Sequence, residues 1–232
     1  MRWDAEKRRM EAEEVNVDGR SLTKELSLTI GSVVPGKSVL LYGSTLVYYT
    51  ALVVMKEILR RVPRVAVIDG ANRFDAYGLA RMAQIDGMNP VDFLNRIFIS
   101  RIFTAFQMDG VITRGLGPFL KESKAKVVIV LGLLHTFYDD QISVRESEKS
   151  LARIGEKFGE IKESGVSLLL ASENMIPEKK QKQLFHMRLR SMADDVYEAN
   201  PDSVRDFVMK RQNRMPMQTR FFPGNPPGEY HV

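Results

Sequence analysis

Short apolar runs bounded by glycine, proline or charge recur along the chain, and longer amphipathic stretches separate them. Ser38 to Tyr42, Arg64 to Asp69, Arg96 to Ser100, Lys126 to Gly132 and Val166 to Ser172 are such runs. They lack the strict alternation of a half-exposed strand, so each is predicted to be a strand covered on both faces. KVVIVLG at 126–132 is the most apolar of them and is expected in the middle of a sheet. Between the runs, Thr50 to Arg61 puts Leu52, Met55, Ile58 and Leu59 on one helical face and stops before Pro63. Helices are also predicted over Ala76 to Ile85, from Asn89-Pro90 through Asn95, over Gly110 to Glu122 and over Glu146 to Ser164. The third of these is weakened by Gly115, Gly117 and Pro118; the last turns Leu151, Ile154, Phe158 and Ile161 inward. Strands and helices alternating at this spacing imply βαβ crossovers. The expected fold is α/β, a mostly parallel twisted sheet with helices on both faces. Leu22 to Ile30 alternates loosely, as an edge strand would, and Asp195 to Ala199 and Ser203 to Arg211 read as antiparallel C-terminal strands.

Composition narrows the picture. A chain of 232 residues, 44% of them hydrophobic, supplies one sizeable α/β core. The expected division is a charged N-terminal extension over 1–20, the core over 21–220, and a Pro/Gly-rich tail over 221–232. Trp3 to Glu14 is dense in charge and reads as a solvated helix, in which Trp3 either folds back onto the domain, the preferred reading, or docks on a partner. No apolar run approaches the roughly 20 residues that span a bilayer, and the N-terminus is charged throughout rather than signal-like. A cytoplasmic protein with no membrane partner is expected. The absence of cysteine removes disulfides, thiolate nucleophiles and cysteine-bound zinc together. His135, His186 and His231 stand far apart with no paired spacing, so neither a metal site nor a cofactor is expected. A net charge of +5 permits an acidic partner without requiring one.

Candidate chemistry centres on VLLYGSTLVYYT at 39–50, where a strand runs through one glycine into a helix. In a nucleotide-binding α/β protein that junction is a phosphate loop, G-x-x-x-x-G-K-[ST]. Gly43 and Thr50 occupy the first and last defining positions, but Tyr48 stands in place of the second glycine and Tyr49 in place of the lysine. Small residues let backbone N–H groups close around phosphate, and the lysine supplies charge. Valine and two tyrosines supply neither. On its own the stretch reads as an ordinary strand-to-helix turn.

Three further stretches decide between these. VIDGANRFDAYGLARMAQIDGMNPVDFLNRIFISRIF resembles, almost without gaps, the strand, acidic turn, helix, proline turn and next strand of the RecA-type recombinase superfamily, in its archaeal and eukaryotic branch. KVVIVLGLLHTFYDD resembles that family's Walker B strand, and LLLASEN the strand ending in its phosphate-sensing glutamine. The likeness covers nearly half the chain as an ordered series. It implies a RecA-like core and makes Gly43 to Thr50 a decayed phosphate loop. By the same likeness the catalytic glutamate falls at Ala71, the Walker B aspartate at Leu131, the sensing glutamine at Asn174 and the phosphate-loop lysine at Tyr49. Without the lysine and the aspartate nothing clamps nucleotide and metal; without the glutamate nothing orients water. The resemblance therefore implies a pseudo-ATPase. Asp139 and Asp140 follow the Walker B strand, where an acidic pair is read as a solvated turn rather than a metal site. Tyr48 and Tyr49 are read as filling the vacated pocket, since packing favours that over an empty space.

The family's two DNA loops fall here at Tyr138 to Ser147, with Arg145 as its basic anchor, and at Ile176 to Met192. The second carries Lys179, Lys180, Lys182, Arg188 and Arg190 around Phe185 and His186, with Glu178 opposing. Cations for phosphates beside a ring for a base is the composition of single-strand binding; a solvated helix with Leu184, Phe185 and Met187 partly buried reads equally well. Lys210, Arg211, Arg214 and Arg220 are assigned a structural or interface role. Phe103 to Phe106, FTAF, lacks the F-x-x-A polymerisation pattern and is placed in the core strand region. The implied function is an inactive paralogue that binds DNA, an active recombinase, or both, in repair and recombination. The alternative is a nucleotide-independent scaffold subunit of another complex, and the implied partners are single-stranded DNA, an active family member or another protein subunit.

Overall fold

The computed structural model describes residues 31–138, 142–175, 182 and 184–199. The expected strand over Leu22 to Ile30, the N-terminal helix with Trp3, the Asp139–Asp140 pair, Lys179 and Lys180, the strand over Ser203 to Arg211 and the basic tail lie outside the described residues. Within them the apolar runs form strands β1 (Ser38–Gly43), β2 (Val65–Asp69), β3 (Ile97–Arg101), β4 (Val127–Leu131), β5 (Ser167–Glu173) and β6 (Asp195–Ala199). Helices α1 (Leu46–Ile58), α2 (Ala76–Ile85), α3 (Pro90–Leu94), α4 (Ala105–Gly110), α5 (Leu116–Ser123), α6 (Val144–Glu163) and α7 (Leu184–Ser191) lie between them. The six strands make one sheet in the order β3-β2-β4-β5-β1-β6, and every pairing is parallel. This is an α/β architecture consistent with a RecA-like core.

β2 and β4 are buried at every position, as their unbroken apolar runs require, and β4 sits inside the sheet with β2 and β5 on either side. Alternate residues of each strand feed two separate cores. Val39, Leu41, Val67, Ile129, Leu131 and Leu169 pack under α1, α2 and Phe93 of α3. Leu40, Ile68, Val130 and Leu170 face the opposite layer, built from α4, α5, α6 and α7. Helix starts follow local chemistry. Asp75 caps α2 by accepting from Gly78 N–H, Asn89 caps α3 with Pro90 behind it, and Ser143 and Glu146 form a reciprocal capping box on α6.

Three expectations need correction. β6 is parallel to β1, not antiparallel, because α7 returns the chain to the starting edge of the sheet before β6 begins. Asp194 anchors that start: its carboxylate accepts from Ser38 N–H at 2.7 Å and meets Lys162 of α6 at 3.1 Å. The helix predicted over Gly110 to Glu122 instead starts at Ala105 and runs to Ser123. Its glycines are absorbed by a π-helical turn at Val111–Gly115 rather than ending it. The rings of FTAF do not lie in the core: Ala105 is buried, but Phe103 and Phe106 stand 69% and 62% exposed just beyond β3.

Candidate functional site

In an open parallel sheet, ligands bind beyond the carboxyl ends of strands whose following helices leave to opposite faces. Here α1 leaves β1 into one layer, and α7, after β5, lies in the other. The crevice therefore opens between the ends of β1 and β5, where Gly43 pairs with Glu173 and Gly43 C=O accepts from Asn174 N–H.

The backbone at this crevice is not a phosphate cradle. Only Ser44 and Thr45 separate Gly43 from the first residue of α1, Leu46. The N–H groups of Val47 and Tyr48, which a phosphate loop would leave free, donate to Ser44 C=O and Thr45 C=O. A helix that begins this early has spent its loop on its own first turn. Tyr48 lies 2% exposed within the α1 core. Its Oη accepts from Glu173 N–H at 3.4 Å, and its ring meets His135 edge-on at 6.0 Å. Burial pushes the Tyr48 phenol far above its ordinary range, so it stays neutral. Tyr49 is half-buried against the same core, and Thr50 Oγ1 donates back to Leu46 C=O.

The other sequence-assigned positions gather at this edge. Gly70 and Ala71 N–H both donate to Leu131 C=O, which brings the stand-ins for the catalytic glutamate and the Walker B aspartate together. Leu131 is fully buried beneath α1. Gly132 has φ +68°, and a Cβ there would lie 2.4 Å from Ala71 Cβ, so the two turns interlock without room for a larger side chain. Asn174 is exposed beyond the end of β5.

Residues that sequence reading did not single out supply the polar groups. His135, in the short helical turn after β4, holds Nε2 3.6 Å from the Glu173 carboxylate, beyond hydrogen-bond reach, and that nitrogen is buried without a partner. Burial lowers the His135 pKa against the pull of Glu173, and the imidazole is neutral near pH 7. Asp69, 1% exposed at the end of β2, accepts from Arg73 and Phe74 N–H at 3.0 and 2.9 Å and closes the following turn on itself. The Glu173 carboxylate faces this crevice, and the Arg73 guanidinium is close enough to act on both Tyr48 and His135. The sequence positions of His135, Asp69 and Glu173 share no spacing, because each comes from a different strand end. Glu173 alone had a signal, being adjacent to the sensor position.

The basic stretch is divided by the fold. Lys182 is fully buried and Phe185 is 2% exposed, its ring stacked on Tyr138 at 6.4 Å, so Phe185 has no face left for a base and Lys182 none for a phosphate. This corrects their assignment to a nucleic-acid surface. Tyr138, covered by the same contact, has its phenol pushed up to about 12 by burial. Arg190 lies over the Tyr42 ring at 4.9 Å, while Arg188 is exposed beside a groove of about 440 Å³ between α6 and α7, lined by Gly155, Gly159 and Met192. Arg145 is exposed in the first turn of α6. The described residues contain no group of three metal-ligating side chains and no helix long and apolar enough to cross a membrane. No model of a known protein family matches the chain, and no curated protein matches it.

Proposed function

We propose that this chain is a RecA-type paralogue that works without ATP hydrolysis, an accessory factor that binds DNA, an active recombinase, or both, in repair and recombination. The observation that carries this reading is the early start of α1 at Leu46, which uses internally the backbone donors a triphosphate would need. Tyr48 in the pocket and Leu131 beneath it oppose a nucleotide by volume and by loss of the metal ligand. A scaffold subunit of another complex is the second reading. Burial of Lys182 and Phe185 favours it, because it removes two of the groups expected to grip DNA.

Two titrations test the proposal. A fluorescent ATP analogue with Mg²⁺ should show no saturable binding, and single-stranded DNA should bind with an affinity that falls steeply with salt and is unchanged by ATP. Saturable ATP binding would overturn the nucleotide-independent reading. Absence of DNA binding at low salt, with an unimpaired pull-down of a protein partner, would leave the scaffold reading in its place.

A further inference from the structure

From the geometry of the β2–β3 rim, we infer that single-stranded nucleic acid lies across Arg73, Tyr77, Arg101, Phe103 and Phe106 rather than along the basic stretch of α7. This rests on the DNA-binding part of the proposed function and moves its location. Parallel pairing of Asp69 with Arg101 puts the ends of β2 and β3 side by side, and Ile102 N–H extends that ladder by donating to Asp69 C=O. Arg101 Nη2 then reaches Phe74 C=O at 3.4 Å, tying the end of β3 to the turn that carries Arg73 and leads into α2. Tyr77, in the first turn of α2, is 91% exposed. Phe103 lies two residues beyond Arg101, within about 8 Å of it along the chain, and Phe106 opens α4.

These rings are presented, not left over. Phe103 N–H donates to Gln107 Oε1, and Gln107 N–H donates to Thr104 Oγ1, so the backbone under the two phenylalanines is pinned while both rings point to solvent. Three carboxylates stand near the rim. Asp69, buried, accepts from the backbone N–H groups of Arg73 and Phe74 and lies 4.0 Å from Arg101 Nε; Asp75 accepts from Gly78 N–H, and Asp109 from Arg153. The rim turns outward guanidinium and aromatic groups, with the Asp75 carboxylate exposed beside Tyr77. Arg81, one turn from Tyr77 on the same face of α2, extends the positive charge. The rings sit on two segments, Tyr77 in α2 and the pair Phe103 and Phe106 at the start of α4, each with an arginine close along the chain or across the rim. Stacking of successive bases with phosphates between them uses that arrangement, whereas a protein interface core gathers its apolar groups into one patch.

The test is fluorescence anisotropy of the full chain with fluorescein-labelled oligo-dT over a salt series. All three rings are exposed, so Tyr77→Ala, Phe103→Ala and Phe106→Ala should keep the wild-type melting temperature; each is expected to weaken binding about tenfold. Arg73→Gln and Arg101→Gln should each reduce the salt slope by about 0.7. Arg188→Gln should change neither. If the rim variants bind like wild type while Arg188→Gln weakens binding, the rim proposal falls and the DNA-binding reading stands. If the wild-type chain does not bind oligo-dT at low salt, both fall. If the ring variants leave DNA affinity intact but abolish self-association in sedimentation velocity, the rim is a protein contact and the proposal is overturned.

Discussion

Tyr48 is the residue on which the candidate site turns, because its ring is core at the very junction of β1 and α1. Tyr48→Ala should cost about 3–5 kcal/mol in chemical denaturation, the range for removing a large buried ring, while Tyr48→Phe should cost less than about 1 kcal/mol because the hydroxyl makes only one long contact. The same logic applies at Leu131. Replacing it with the aspartate that the family resemblance expects would bury an unpaired carboxylate beneath α1; Leu131→Asp should lower stability by more than about 4 kcal/mol without conferring ATP turnover. His135 makes the fold sensitive to acid. Its folded pKa lies below the unfolded value of 6.5, so between the two the unfolded chain holds more protons, and stability falls as pH drops through about 6.5. His186 is shifted the same way, by burial and by Arg190, and contributes in the same window. Denaturation midpoints from pH 7.5 to 5 should decline for wild type, decline less for His135→Gln and least for the variant lacking both histidines. Asp194 acts lower still. Burial opposes its ionisation, but Ser38 and Lys162 outweigh it and depress its pKa, so its contribution is lost only below pH about 4.

At the scale of elements, α1 is held at its C-terminal end by contacts distant in sequence. Its last turn buries Lys56, 2% exposed, against Asp86 at the end of α2, with Arg60 reaching the same carboxylate at 2.8 Å and Glu57 lying 3.1 Å from the ammonium. Arg96 closes the end of α1 by donating to the carbonyls of Leu59, Val62 and Pro63. Asp86→Ala leaves Lys56 buried with only Glu57, and should cost about 3 kcal/mol, at the low end for a broken buried pair. Lys56→Met should cost less, because Arg60 still faces Asp86; equal losses in thermal melts would contradict this. β6 shows why an element can be present in the sequence and wrong in direction. The segment Asp195 to Ala199 was legible as a strand, but its orientation depends on α7, whose packing through Phe185 and Leu189 carries the chain back across the sheet. Nothing in the five residues of β6 encodes that.

At the scale of the molecule, the sheet brings the ends of β1, β2, β4 and β5 to one edge, and function is proposed along that edge, from the closed crevice at Gly43 to the rim at Phe103. Several features were set by sequence alone. Unbroken apolar runs between helical periods forced strands buried on both faces, hence a parallel α/β sheet with β4 inside it, and the tyrosines at 48 and 49 excluded a lysine clamp whatever the fold. Local turn chemistry also set the helix starts at Asp75, Asn89 and Ser143, since a cap is satisfied within a few residues. Other features belong to tertiary structure, because burial and proximity sum contributions from residues far apart in the chain. Lys182 and Phe185 read as a nucleic-acid surface until packing against the α6–α7 layer removed them from solvent, and FTAF read as core until the end of β3 left its rings outside. His135, Asp69, Glu173 and Tyr48 carry no common spacing, for they meet only where separate strands end at the same edge.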